Sequence, residues 1–212
     1  MQFLFSQKTW LEWLALNLNA ANRRLVSLAG ASGILASTLP LIMIFASTEL
    51  EESFSWSRNA LSDVGVADQA WLFNSALIIG GLLSLLFAFG LRSFLDKARK
   101  LKIGISLFIV SSISLTLVGV FTEDYLIIHG LVALGYLLLA PSGLLFIGLG
   151  EKVHGLGKIS LLLGVLASFS ITLFPVIVVA LSLQIGFAVP EFLEALLLSI
   201  WIFFVSMKLL RC

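Results

Sequence analysis

The feature that most constrains this chain is a series of long apolar runs without charge. Residues 25–47 carry no charged side chain, and neither do residues 70–91 or 159–182. Residues 103–122 lie between Lys102 and Glu123, and residues 125–150 hold only His129 as a possible charge. A final run, residues 190–210, has Glu191 and Glu194 in its first turns and Lys208 near its end. A bilayer-crossing helix needs ~20 mostly apolar residues, whereas barrel strands alternate in polarity over about ten. Only the first pattern is present. The expected fold is therefore all-α, an integral membrane bundle of six helices. Its sixth helix requires Glu191 and Glu194 to sit at the interface rather than in hydrocarbon.

Composition agrees. The chain is 59% hydrophobic and 12% charged, with a mean hydropathy of +1.09, against about 25% charged in a typical soluble domain. A net charge of +1 argues against nucleic acid as a partner. Membrane lipids are the expected surroundings, and a membrane-complex partner or a second copy remains open. The lone cysteine, Cys212, allows neither an intrachain disulfide nor a paired-cysteine metal motif. It also lacks the residues a prenylation box needs after it, so an ordinary thiol is expected.

Residues 1–22 interleave Trp10, Leu11, Trp13, Leu14 and Leu18 with Lys8, Glu12, Asn17 and Asn19. This is neither the basic start nor the unbroken apolar core of a signal peptide. It reads as an amphipathic helix lying in the interface on the cytoplasmic side, ahead of a six-helix domain over residues 23–212. With a cytoplasmic N-terminus, twelve of the thirteen basic residues fall inside and only Arg58 falls outside. That asymmetry sets the orientation and puts both termini in the cytoplasm of a cell-membrane protein. Pro40, Pro141 and Pro175 should kink their spans. Gly30, Gly33, Gly80, Gly81, Gly143, Gly148 and Gly150 offer close helix contacts.

Most acidic residues fall outside, which makes that side the place to look for chemistry. The first outer loop, residues 48–69, alternates Ser53, Ser55 and Ser57 with Phe54 and Trp56. Ser57 could cap a short helix over residues 58–64, ended by Gly65 and laid across the bundle mouth. Such a cap would present Arg58, Asn59, Ser62 and Asp63. Asn74, Glu123, Asp124, His129 and Glu191 fall at the same depth. Asp63, His129 and Glu191 are the candidate catalytic or central residues. Arg58, Asn59, Asn74, Glu123 and Asp124 are candidate binding residues around them.

The runs WSRNALSDVG (residues 56–65) and LFNSALIIGGLLSLLFAFGL (72–91), with VGVFTEDYLIIHG (118–130) and FAVPEF (187–192), carry a resemblance. Together they resemble an archaeal and bacterial family of small membrane proteins catalogued as domain of unknown function 998. The resemblance covers about residues 25–210. It implies a small polytopic, prokaryotic membrane protein and no particular activity.

Each candidate also has a structural reading. His129 could ligate a metal or move protons, or could simply donate to a loop carbonyl. Glu123 and Asp124 suit a helix N-terminus, as do Pro190 and Glu191. Asp63 could pair with Arg58 to hold the cap down. The residues thus allow a binding or accessory protein with an outward polar pocket. They also allow an enzyme acting on a lipid or amphipathic substrate through acid–base or metal-assisted chemistry. There is no HExxH, paired-histidine or GxSxG motif, so the sequence specifies no cofactor or metal. Spans nearly free of charge at mid-depth argue against an ion-coupled carrier.

Overall fold

In the computed structural model the described residues are 3–95, 98–152 and 155–211, with residues 3–22 described as helical backbone only. The architecture is all-α. Helices α1 (Phe3–Leu50), α2 (Ala70–Phe94), α3 (Arg99–Val120) and α4 (Leu126–Gly150) are followed by α5 (Gly157–Ile171), α6 (Leu173–Ala180) and α7 (Ala188–Leu209). Among the described residues six stretches are long and apolar enough to cross a membrane: Arg23–Leu50, Ala70–Phe94, Arg99–Val120, Glu123–Gly150, Gly157–Ala180 and Ala188–Leu209. A helical stretch lies at each expected span, its ends displaced by four residues or fewer in either direction. Residues 3–22 continue α1 without a break. Their side chains, and with them the expected amphipathic face, lie outside what is described.

The spanning helices close into a ring. Each of α1, α2, α3 and α4 packs on the next, α5 joins α4 to α7, and α7 returns to α1. Without water to drive apolar groups together, such rings are held by close packing, and small residues set the distance. Large side chains such as Leu28, Ile42, Leu86 and Ile127 face outward, as lipid contact requires. Inside, Phe87 of α2, Phe108 of α3 and Trp201 of α7 pack edge-on or tilted, with ring centroids 5.3–6.1 Å apart. Phe87 and Trp201 are wholly enclosed. This aromatic cluster fills the ring toward the end opposite the cap.

The prolines act unequally. Helices α1 and α4 run through Pro40 and Pro141, but the fifth span breaks at Thr172, between α5 and α6. Pro175 explains the position, since its ring clashes with the carbonyl four residues back, at Ile171. Thr172 stays tied to the helix before it, its amide and its Oγ1–H both donating to the Ser168 carbonyl, at 3.2 and 2.6 Å.

Candidate functional site

The cap is built differently from the sequence reading. Residues 61–66 form a 3-10 helix (Leu61–Val66) rather than a helix over 58–64 capped by Ser57. Ser57 Oγ instead hydrogen-bonds Ser55 Oγ at 2.9 Å. The later start follows from side chains that occupy the backbone donors just before it. Asp63 Oδ2 accepts from Asn59 Nδ2 at 2.7 Å and from the Ala60 amide at 3.1 Å. Asn59 Oδ1 accepts from the Ser55 amide at 2.9 Å. Gly65 lies within the 3-10 helix and does not end it; its carbonyl accepts from Asn74 Nδ2 at 2.9 Å.

Two further clasps hold the cap to the bundle. The Gly186 amide donates to the Trp56 carbonyl and the Ala188 amide to the Asn59 carbonyl, both at 2.9 Å. A Cβ at Gly186 would come within 2.6 Å of that Asn59 oxygen, so the crossing needs glycine. At the base of the loop, Glu51 accepts from Ser53 Oγ at 2.6 Å and from the Gln69 amide at 3.3 Å. The Ser53 hydroxyl, helped by backbone donors, holds the Glu51 carboxyl below the usual carboxylate range. The expected Arg58–Asp63 pair does not form. Arg58 is exposed and makes no ion pair among the described residues.

Beneath the cap lies a cavity of about 110 Å³, lined from α1, α2, α3, α4, α7 and the cap. His129 and Glu191 both line it, together with Ser62 of the cap. Glu191 Oε2 accepts the Leu61 amide at 2.7 Å, which ties α7 to the cap at the cavity edge. His129 Nδ1 lies 2.7 Å from the Phe121 carbonyl. A carbonyl can only accept, so Nδ1 carries hydrogen and Nε2 is left without a partner among the described residues. The structural reading of His129 thus holds for one nitrogen only.

The other candidates stand apart from the cavity wall. Asp63 is spent on Asn59 and Ala60, though it lies within electrostatic range of Glu191. Glu123 and Asp124 form a 3-10 turn (Glu123–Tyr125) ahead of α4, and Asp124 accepts from Thr122 Oγ1 at 3.2 Å. Asn74 and Asn59 serve the cap. Among the described residues no three His, Cys, Asp or Glu side chains gather as ligands for a metal ion.

Deeper in, the wall is mainly apolar, with Leu77, Phe108, Ala140, Leu198 and Ile202. Ser84, Ser111, Ser112, Tyr136 and Ser199 add polar points that the sequence reading did not single out. Helical spacing would have found some of them. His129, Ala133, Tyr136 and Ala140 form one stripe of α4, and Glu191, Ala195, Leu198 and Ile202 repeat the spacing on α7.

The fold and site define a polytopic α-helical membrane protein with a capped internal cavity. The chain matches the family model described as a protein of unknown function (DUF998) over residues 34–208, and it belongs to that family. No curated protein and no solved structure matches it.

Proposed function

We propose that the protein binds a small amphipathic molecule in the cavity under its cap, with both termini in the cytoplasm and the cap outside. The observation that carries this reading is a single cavity whose cap end holds His129 and Glu191 and whose depth is apolar. About 110 Å³ is well beyond the roughly 10–15 Å³ that one water needs. His129 Nε2, in the tautomer its carbonyl contact selects, can accept a hydrogen bond, and a Glu191 carboxylate oxygen can do the same. A ligand matched to both carries a hydroxyl or amine donor on an apolar body.

A diazirine-bearing long-chain alcohol and the corresponding amine test the reading. Photolysis in membranes is expected to label the cavity stripes of α4 and α7, and Ala133→Leu to reduce that labelling about tenfold. Labelling confined to outward residues such as Leu131, and unaltered in Ala133→Leu, would reject binding in the cavity. A second reading, acid–base chemistry on such a ligand, draws on the free His129 Nε2 and the Glu191 carboxyl lining one cavity. Probe recovered chemically altered by the wild type and intact from His129→Gln would favour it.

The orientation has its own test in a Cys212→Ser background. A cysteine at Lys100→Cys should resist an impermeant maleimide in intact cells and react once they are permeabilised, while Ser57→Cys should react in both. The reverse pattern would invert the topology.

A further inference from the structure

Glu194 has no part in the wall of this cavity, and among the described residues neither of its carboxyl oxygens has a hydrogen-bond partner. The sixth span was expected to hold Glu191 and Glu194 at the interface. Glu194 is fully enclosed within the protein, 0% exposed, on the α7 face that also carries Pro190, Leu198, Trp201 and Val205. An isolated ionised carboxylate in such surroundings costs far more than folding can supply, so the group must be neutral or matched by a cation.

Among the described residues no cationic side chain pairs with it. Against α7, helix α4 brings Tyr136 and His129, the cap brings Asp63 and the exposed Arg58, and the turn before α4 brings Glu123 within electrostatic range of Glu191. Helices α1, α2 and α5 have no titratable side chain within residues 25–48, 70–91 and 159–171. Tyr136 and Glu191 are the groups that interact electrostatically with Glu194. Both also line the cavity.

We propose that Glu194 is a proton-binding site within the membrane, holding its carboxyl as a neutral acid and exchanging that proton with the cavity through Glu191. Glu191 stands three residues earlier on the same helix, a spacing that puts the two side chains on neighbouring positions. The exchange requires that a turn of the side chains, or one bridging water, first joins the two carboxyls by a hydrogen bond; a protonated Glu191 then gives its proton to the Glu194 carboxylate, and the reverse step returns it. Chains of acidic groups perform such relays in membrane proteins. In the other direction along α7, Leu198, Trp201, Val205 and Leu209 continue the buried face. The site is therefore open to protons from the cap end only, a store rather than a conduit. It does not depend on which molecule fills the cavity.

Two measurements on the full chain in lipid test this. N,N′-dicyclohexylcarbodiimide adds to protonated carboxyls in apolar surroundings, the acid proton passing to nitrogen, and the adduct rearranges to a stable N-acylurea. At neutral pH the adduct is expected on the Glu194 peptide, with a water-soluble carbodiimide giving none there. Infrared spectra should show a protonated-carboxyl stretch that E194Q removes. Its shift on transfer to heavy water should be slowed about tenfold or more by E191Q. E194Q replaces a neutral acid by a neutral amide of the same shape and should leave the melting temperature nearly unchanged. Were that variant not to fold, the mapped adduct on the wild type would decide the matter. Absence of both adduct and stretch from Glu194 would overturn the site. An E191Q exchange rate equal to wild type would overturn the route.

Discussion

Gly104→Val is expected to abolish the monodisperse, folded protein, and Gly104→Ala to destabilise it by about 1–3 kcal/mol, the usual range for overpacking. A Cβ built at Gly104 meets the Gly143 carbonyl oxygen, the Ile147 amide nitrogen and Ile147 Cγ1, each at 2.8 Å. Two of those three are backbone atoms of α4, so no rotamer change relieves the clash and the helices themselves must part. The contact is mutual, since a Cβ at Gly143 would stand 3.0 Å from the Gly104 carbonyl. Parting α3 from α4 would also move Phe108 and Ala140, which face the cavity. Fluorescence-detected size exclusion and thermal melting in detergent provide the readout. Gly130→Ala is the control: nothing lies within 4 Å of its added Cβ, and removing a mid-helix glycine should gain roughly 0.5–1 kcal/mol. If Gly104→Ala and Gly130→Ala melt alike, α3 and α4 do not touch as described.

Gly104 also marks where sequence reading stopped. The spans were legible because lipid imposes one simple condition, some twenty uncharged residues, and every run that met it became a helix. Which glycines form contacts was not, because small residues are frequent in such helices whether or not they touch a neighbour. Gly143 was anticipated and its partner Gly104 was not. The break at Thr172 follows from Pro175, yet Pro40 and Pro141 carry the same local signal and their helices continue. The difference lies in what surrounds each proline, which no single segment encodes.

The candidate site was half legible for a related reason. Position along the chain, read through topology, put His129 and Glu191 at one depth, and both line one cavity. The same logic placed Asp63, Asn59 and Asn74 beside them, but depth does not say which way a side chain turns. Asp63 and Asn59 turned to backbone groups of their own loop, where a short polar side chain finds a donor within a few residues, and Asn74 reached back from α2 to the Gly65 carbonyl. Glu194 was read by its depth alone. Its position seven residues into α7 suggested the interface, while its helical face directs it into the protein.

Trp201→Ala is expected to cost about 3–5 kcal/mol, the usual range for truncating a large buried aromatic. The indole is wholly enclosed and touches the rings of Phe87 and Phe108 at centroid distances of 5.9 and 5.3 Å. It thereby joins α7 to α2 and α3 across the ring of helices. Its Nε1–H donates to Ser160 Oγ at 2.8 Å, and Ser160 in turn donates to the Leu156 carbonyl at 2.8 Å. The hydroxyl keeps that second bond when the indole is lost, so the polar share of the cost should be small. Trp201→Phe separates the two contributions: most of the apolar volume stays and only the indole donor goes, for a loss of roughly 0.5–1.5 kcal/mol. Ser160→Ala removes the acceptor and leaves the buried Nε1–H unsatisfied, which should cost about 1–3 kcal/mol, more than Trp201→Phe. Unfolding in mixed micelles at fixed detergent composition would rank the three. Alanine worst, Ser160→Ala next and phenylalanine mildest is the expected order. Equal losses for alanine and phenylalanine at position 201 would mean that the hydrogen bond, and not the aromatic packing, joins these helices.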